Sequence, residues 1–129
     1  VSSKHYVVDS SVWIEILNDA PLARSCLRAV RGAARVGVPT VVIFDVYKKI
    51  LAAHSDHEAL SAIATLSQYE ILDLTREVSL SAADISIREK LAMADSIVLA
   101  HARAQSATLL TMDNDFAGIE GAQVVRRPG

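Results

Sequence analysis

The chain has 129 residues, enough for one domain with one core, and 51% of them are apolar but only 5% aromatic, so Ala, Val, Leu and Ile must build that core. A formal charge of −2 excludes an overall basic nucleic-acid footprint. No apolar run approaches the ~20 residues that span a bilayer, and the start "VSSKHYVVDSS" lacks the apolar segment of a signal peptide, so a soluble, cytoplasmic chain without a membrane partner is expected.

The first element is a β-branched strand, "HYVVD" (5–9), ending in a carboxylate. Ser10 and Ser11 lead into a helix, "VWIEILN", whose Val12/Ile16 and Trp13/Leu17 pairs recur at helical spacing. Pro21 opens a second helix through about Val30, with Leu22, Cys26, Leu27 and Val30 on one stripe, and Gly32 ends it. Cys26, the only cysteine, reads there as a small buried hydrophobe, and no intrachain disulfide is possible. "ARVGVP" is a short second strand, after which Thr40 is placed to cap the helix "VVIFDVYKKILAAH". Residues 57–68 form a further helix, and "YEILDL" is the third strand. From Ser79, "LSAADISIREKLAM" and "ADSIVLAHARAQ" are two helices, the second with Asp95 or a neighbour at its N-terminus. "ATLLT" and "AQVVRR" are the last two strands.

Strands joined through helices call for a mainly parallel sheet covered on both faces, and such sheets carry function at the carboxyl ends of their strands. Without repeats, low-complexity tracts or Gly/Pro/Ser-rich linkers, residues 1–129 read as a single α/β domain. Asp9 follows one strand, and Asp113 and Asp115 follow another in "TLLTMDNDF"; Asp45 and Asp95 lie near helix starts in apolar surroundings. A parallel sheet can bring these places to one edge. Carboxylates so gathered raise one another's pKa and call for a cation, and an all-oxygen donor set favours a hard ion, Mg²⁺ or Mn²⁺. Such an ion activates water and neutralises a leaving oxygen, which suits phosphodiester hydrolysis. Setting these five apart from the 15 acids leaves ten against 13 Lys and Arg, so the rest of the molecule stands at +3 and permits a polyanionic partner.

Each acid also has a plainer reading. Asp9 and Asp95 fit as helix caps, Asp113 and Asp115 as a solvated turn. Asp45 has Lys48 and Lys49 at i+3 and i+4 as its local partners, so a simple surface pair would also account for it. Rival motifs fare poorly. "DNDFAGIEGAQV" begins like a calcium loop, but its twelfth place is Val124 where a bidentate Glu is required. His54 and His57 lack a Cys or His partner pair for zinc and read as helix-surface residues. No Gly-rich phosphate loop and no nucleophile triad context is present.

Four segments, "VVDSSVWIEIL", "PTVVIFDVYKKI", "MADSIVLAHARAQSATLLTMDNDF" and the final short strand, resemble the PIN-domain ribonucleases, in particular the VapC-type toxins of toxin–antitoxin pairs. The "AD" opening a helix and the "T-x-D-x-D-F" after the next strand are its more specific parts. The resemblance implies a three-layer α/β/α sandwich with a mainly parallel central sheet, and a Mg²⁺- or Mn²⁺-dependent endoribonuclease acting through a metal-activated water. By the same resemblance Asp9, Asp95 and Asp113 match metal-site acids, Asp115 an additional acid, and Ser10 and Thr111 supporting hydroxyls. Asp45 stands where the family usually has Glu, one carbon–carbon bond (about 1.5 Å) longer, so attenuated activity is one expectation. An antitoxin covering the groove and offering an Arg to the acids is a further implication; the apolar excess separately points to a homodimer or larger closed oligomer. Two other functions stay open: a catalytically weakened module binding RNA or protein, and a phospho-accepting receiver domain, for which "TLLTMD" lacks the late-strand Lys.

Overall fold

The computed structural model describes residues 3–126. Its elements in chain order are β1 (His5–Val8), α1 (Ser10–Leu17), α2 (Ala23–Gly32), β2 (Arg35–Pro39), α3 (Thr40–Ala53), α4 (Asp56–Leu66), β3 (Glu70–Leu72), α5 (Arg76–Glu89), α6 (Met93–Ala104), β4 (Thr108–Thr111) and β5 (Ala122–Val124), with one 3₁₀ turn at Asn114–Phe116. The five strands form one sheet in the order β3-β2-β1-β4-β5, every pairing parallel. Consecutive side chains of a strand point to opposite faces, and Val7, Val8, Leu109 and Leu110 are all fully buried, so the central strands are covered on both sides. This is the three-layer α/β/α arrangement with a parallel sheet that the sequence predicts.

The chain runs outward from β1 through β2 to β3, then returns across the sheet to place β4 on the other side of β1. The order therefore reverses between β1 and β4, and the carboxyl ends of these two strands flank the crevice where open α/β sheets bind ligands. Gly37 in β2 is fixed by packing: a Cβ there would lie 2.8 Å from Leu72 Cδ1 and 3.4 Å from Val7 Cγ2, so only a bare backbone lets β3 and β1 close around it.

Several boundaries differ from expectation. Pro39, extended at ψ 147°, is the residue before α3, so Thr40 is the helix's first residue rather than its cap. α2 starts at Ala23, and its entry is held by Glu15 Oε2, which accepts from Leu22 N at 2.8 Å. α5 starts earlier than Ser79, because Thr75 caps it by accepting from Val78 N at 3.1 Å. It also ends at Glu89, where Lys90 turns left-handed at φ 57°, short of the expected Met93. β5 stops at Val124; Arg127 of the expected strand lies outside the described residues. No helix among the described residues is long and apolar enough to cross a membrane.

Candidate metal centre

Asp9 extends β1 by one ladder bond, its N–H donating to Leu110 O at 2.9 Å, and then turns the chain into α1, where its Oδ1 accepts from Ser10 N at 2.9 Å. Its other oxygen accepts from Thr111 Oγ1 at 2.8 Å and from Ser11 Oγ at 3.1 Å. The cap reading of Asp9 is therefore met, and the same carboxylate is tied to the exit of β4. The same two hydroxyls organise the exit from β4: Ser11 Oγ accepts from Met112 N and Thr111 Oγ1 from Asp113 N, each at 3.0 Å. Asp113 in turn caps the 3₁₀ turn, accepting from Asp115 N at 2.9 Å.

Asp95 is different. It is the third residue of α6, whose cap is Ala92 with no side-chain bond, so the expectation of Asp95 as a cap is not met. Its carboxylate accepts no hydrogen bond from the described residues, and instead one oxygen each from Asp95, Asp113 and Asp115 lie within 4.8 Å of one another. Burial pushes the Asp95 carboxyl up to about 6, aided by the charges of Asp113, Asp9, Asp115 and Asp45 in falling order. Asp9 is also raised, by burial first, against the pull of its Thr111, Ser11 and Ser10 hydrogen bonds, with Asp113 adding to the rise.

Asp45 is held apart from this trio. Its Oδ2 accepts from Ser10 Oγ and pairs with Lys49 Nζ at 3.1 Å. The surface-pair reading of Asp45 is thus met by Lys49, while Lys48 sits over the Phe44 ring, 5.7 Å from its centroid. Asp9, Ser10, Ser11, Asp45, Lys49, Asp95 and Asp113 nevertheless line one cleft of about 350 Å³, with Phe44 and Met93 as its apolar rim. Of the seven residues singled out from sequence, Asp95, Asp113 and Asp115 converge directly, Asp9 lines the same cleft and is held by Thr111, and Ser10 donates to Asp45. Ser11, which bridges β1 and β4, was missed; the doublet "SS" was its only signal.

The donor set fits a hard divalent cation: three carboxylate oxygens converge, only the Asp113 carboxylate among them accepts a hydrogen bond from the described residues, and nothing in the set is sulfur or imidazole. The hollow lined by His54, His57 and Glu58, about 500 Å³, offers no such set. There the exposed His54, the residue that follows α3, holds its Nδ1 3.1 Å from Glu58 Oε2 of α4.

A family model described as PIN domain matches residues 6–122. Among solved structures, a toxin–antitoxin complex from Klebsiella pneumoniae superposes with a TM-score of 0.81 at 20% identity, covering 94% of this chain and 97% of that one. Mycobacterium tuberculosis VapC20, a Sarcin-Ricin loop cleaving toxin, gives 0.78 at 17% identity over 92% and 98% of the two chains. VapBC2 from Rickettsia felis, bound to a promoter DNA fragment, gives 0.73 at 16% identity over 93% and 96%. At these identities the likeness establishes the fold. No curated protein sequence matches significantly.

Proposed function

The chain belongs to the PIN domain family, and from that premise we propose that it is a Mg²⁺- or Mn²⁺-dependent endoribonuclease, the toxin of a toxin–antitoxin pair. The observation that carries this reading is the convergence of Asp95, Asp113 and Asp115 oxygens within 4.8 Å at the crevice between β1 and β4. These three would hold the ion, with Asp9 lining the same cleft. When bound, a divalent ion supplies positive charge to the phosphodiester and makes water more acidic at neutral pH. Thr111 and Ser11 fix the Asp9 carboxylate and the first two backbone N–H groups after β4, so the acids are preorganised by buried donors rather than by the ion alone. The raised Asp95 carboxyl marks a site whose negative charge favours cation uptake.

An antitoxin partner is supported by the toxin–antitoxin complexes among the structural neighbours. We place the protein in the cytoplasm, where the buried, unpaired Cys26 would stay a thiol. A homodimer is supported by the exposed apolar side of α5, with Leu80 66% and Ile87 80% accessible.

Purified protein should cleave RNA with Mg²⁺ or Mn²⁺ and lose all cleavage in chelator. Cleavage that survives chelation would overturn the metal-dependent reading. The engagement of Asp45 by Ser10 and Lys49 favours one alternative, a weakened module that binds RNA without cutting it; RNA retained uncut with either ion present would select it.

A further inference from the structure

Asp45 and Lys49, one turn apart on α3, both line the cleft, and among the described residues Lys49 is the only cationic one that does so. Its ammonium lies 3.1 Å from Asp45 Oδ2, the same oxygen that takes the Ser10 hydroxyl. An ammonium carries three donors. One is used on Asp45, and the side chain, which lines the cleft, is 57% exposed, so the others are open to a ligand. Across that cleft stand Asp9, Asp95 and Asp113, a wall that repels any phosphate. Asp45 itself is the weakest of the four charges acting on Asp95 and lies outside the trio whose oxygens converge.

We propose that Lys49 is the cleft's phosphate-binding cation and that Asp45 is its tether rather than a ligand of the ion. The proposal rests on the nuclease reading of the same cleft and assigns to α3 the substrate rather than the metal. Asp45 restrains Lys49 through the 3.1 Å ion pair, and Ser10 donates to the same Asp45 oxygen. A strand phosphate then meets a positive charge at the mouth before it reaches the acids, independently of any divalent ion.

The test separates RNA binding from metal binding. A fluorescein-labelled, mixed-sequence single-stranded RNA is titrated in chelator over a range of KCl concentrations, and Mn²⁺ binding is followed by electron paramagnetic resonance without RNA. Lys49→Ala should weaken RNA binding about five-fold at low salt and flatten the log–log salt slope by about 0.7, the value for one contact to a single strand. Mn²⁺ should bind it no more weakly than the parent. Lys49→Arg should keep RNA affinity, and Lys48→Ala, the same charge change one residue away beside Phe44, should leave it near the parent's. Asp45→Asn should leave Mn²⁺ affinity within about two-fold, since the group it removes is not a ligand. Equal effects of Lys48→Ala and Lys49→Ala, or no change in affinity and slope for Lys49→Ala, overturn the role of Lys49. A loss of Mn²⁺ affinity of about ten-fold or more in Asp45→Asn, the scale expected of a lost charged contact, overturns the tether. A parent that binds no RNA in chelator overturns this proposal, while the nuclease reading stands or falls separately on cleavage with Mg²⁺ or Mn²⁺.

Discussion

Thr111 Oγ1, fully buried at the end of β4, donates to Asp9 Oδ2 at 2.8 Å across 102 residues of sequence, and the same oxygen accepts from Asp113 N at 3.0 Å. One hydroxyl thus sets the carboxylate after β1 and the backbone that launches Asp113.

Thr111→Val keeps the β-branched shape and removes the hydroxyl. It leaves a buried carboxylate short of a donor and a backbone N–H short of an acceptor, a loss of about 1–3 kcal/mol. Urea unfolding at neutral pH should show that loss, and RNA cleavage should fall as well because Asp9 and Asp113 are no longer held together. A variant as stable as the parent would mean that the two groups find other partners.

Asp95→Asn tests the cluster from its unsatisfied member. Burial and the neighbouring acids push the folded carboxyl up to about 6 from its ordinary 3.8, so at pH 7 the ion-free fold carries an unfavourable charge. At about 1.36 kcal/mol per pKa unit the cost would approach 3 kcal/mol, reduced to about 1–2 by solvent screening. The neutral variant should therefore melt higher than the parent at pH 7 in chelator. Because the folded state holds the proton more tightly than the unfolded chain, the parent recovers stability as pH falls through about 6, and the gap should close near the ordinary carboxylate range. Mg²⁺ should reverse the ranking by stabilising the parent more, and cleavage by the variant should be abolished. A variant that still cleaves would remove Asp95 from the site.

The strands that carry the site were legible because β1 and β4 are short apolar runs that end in acids, and buried parallel strands need that composition. The start of α5 was not: Thr75, Arg76 and Glu77 are polar, apolar periodicity begins only at Val78, and the signal is a side-chain cap. The acids could be named but not sorted. Whether Ser10 or Ser11 faces Asp9, and whether Asp9 or Asp115 joins Asp95 and Asp113, depends on the register of β1 against β4 and on the 3₁₀ turn after it, neither of which is written in spacing. The pairing of Asp45 with Lys49 was visible as i,i+4 spacing, but its place in the cleft required α3 to be docked.

Leu80 and Ile87 are seven residues apart on the outer side of α5 and both largely exposed, a stripe that a second copy would cover. Light scattering at tens of micromolar, roughly where a specific interface should persist, should give a dimer or larger closed oligomer. Leu80→Glu combined with Ile87→Glu should give a monomer with unchanged circular dichroism, since neither side chain contributes to the core. A monomeric parent would sink the expectation.

Asp45→Glu addresses the departure from the family pattern. The carboxylate of Asp45 is spent on Ser10 and Lys49 and stands outside the convergent trio. One more carbon–carbon bond, about 1.5 Å, would carry it from α3 toward the oxygens of Asp95 and Asp113, where a further negative ligand strengthens a hard-ion site. A charged contact of about 1.5–3 kcal/mol corresponds to roughly ten- to a hundred-fold in divalent affinity. Mn²⁺ titration and RNA cleavage, measured in parallel, should both rise by that order, while RNA affinity in chelator should fall as Lys49 loses its short tether. If the variant binds Mn²⁺ no more tightly and cleaves no faster, the shorter side chain is not what limits the site, and attenuation by Asp45 is wrong.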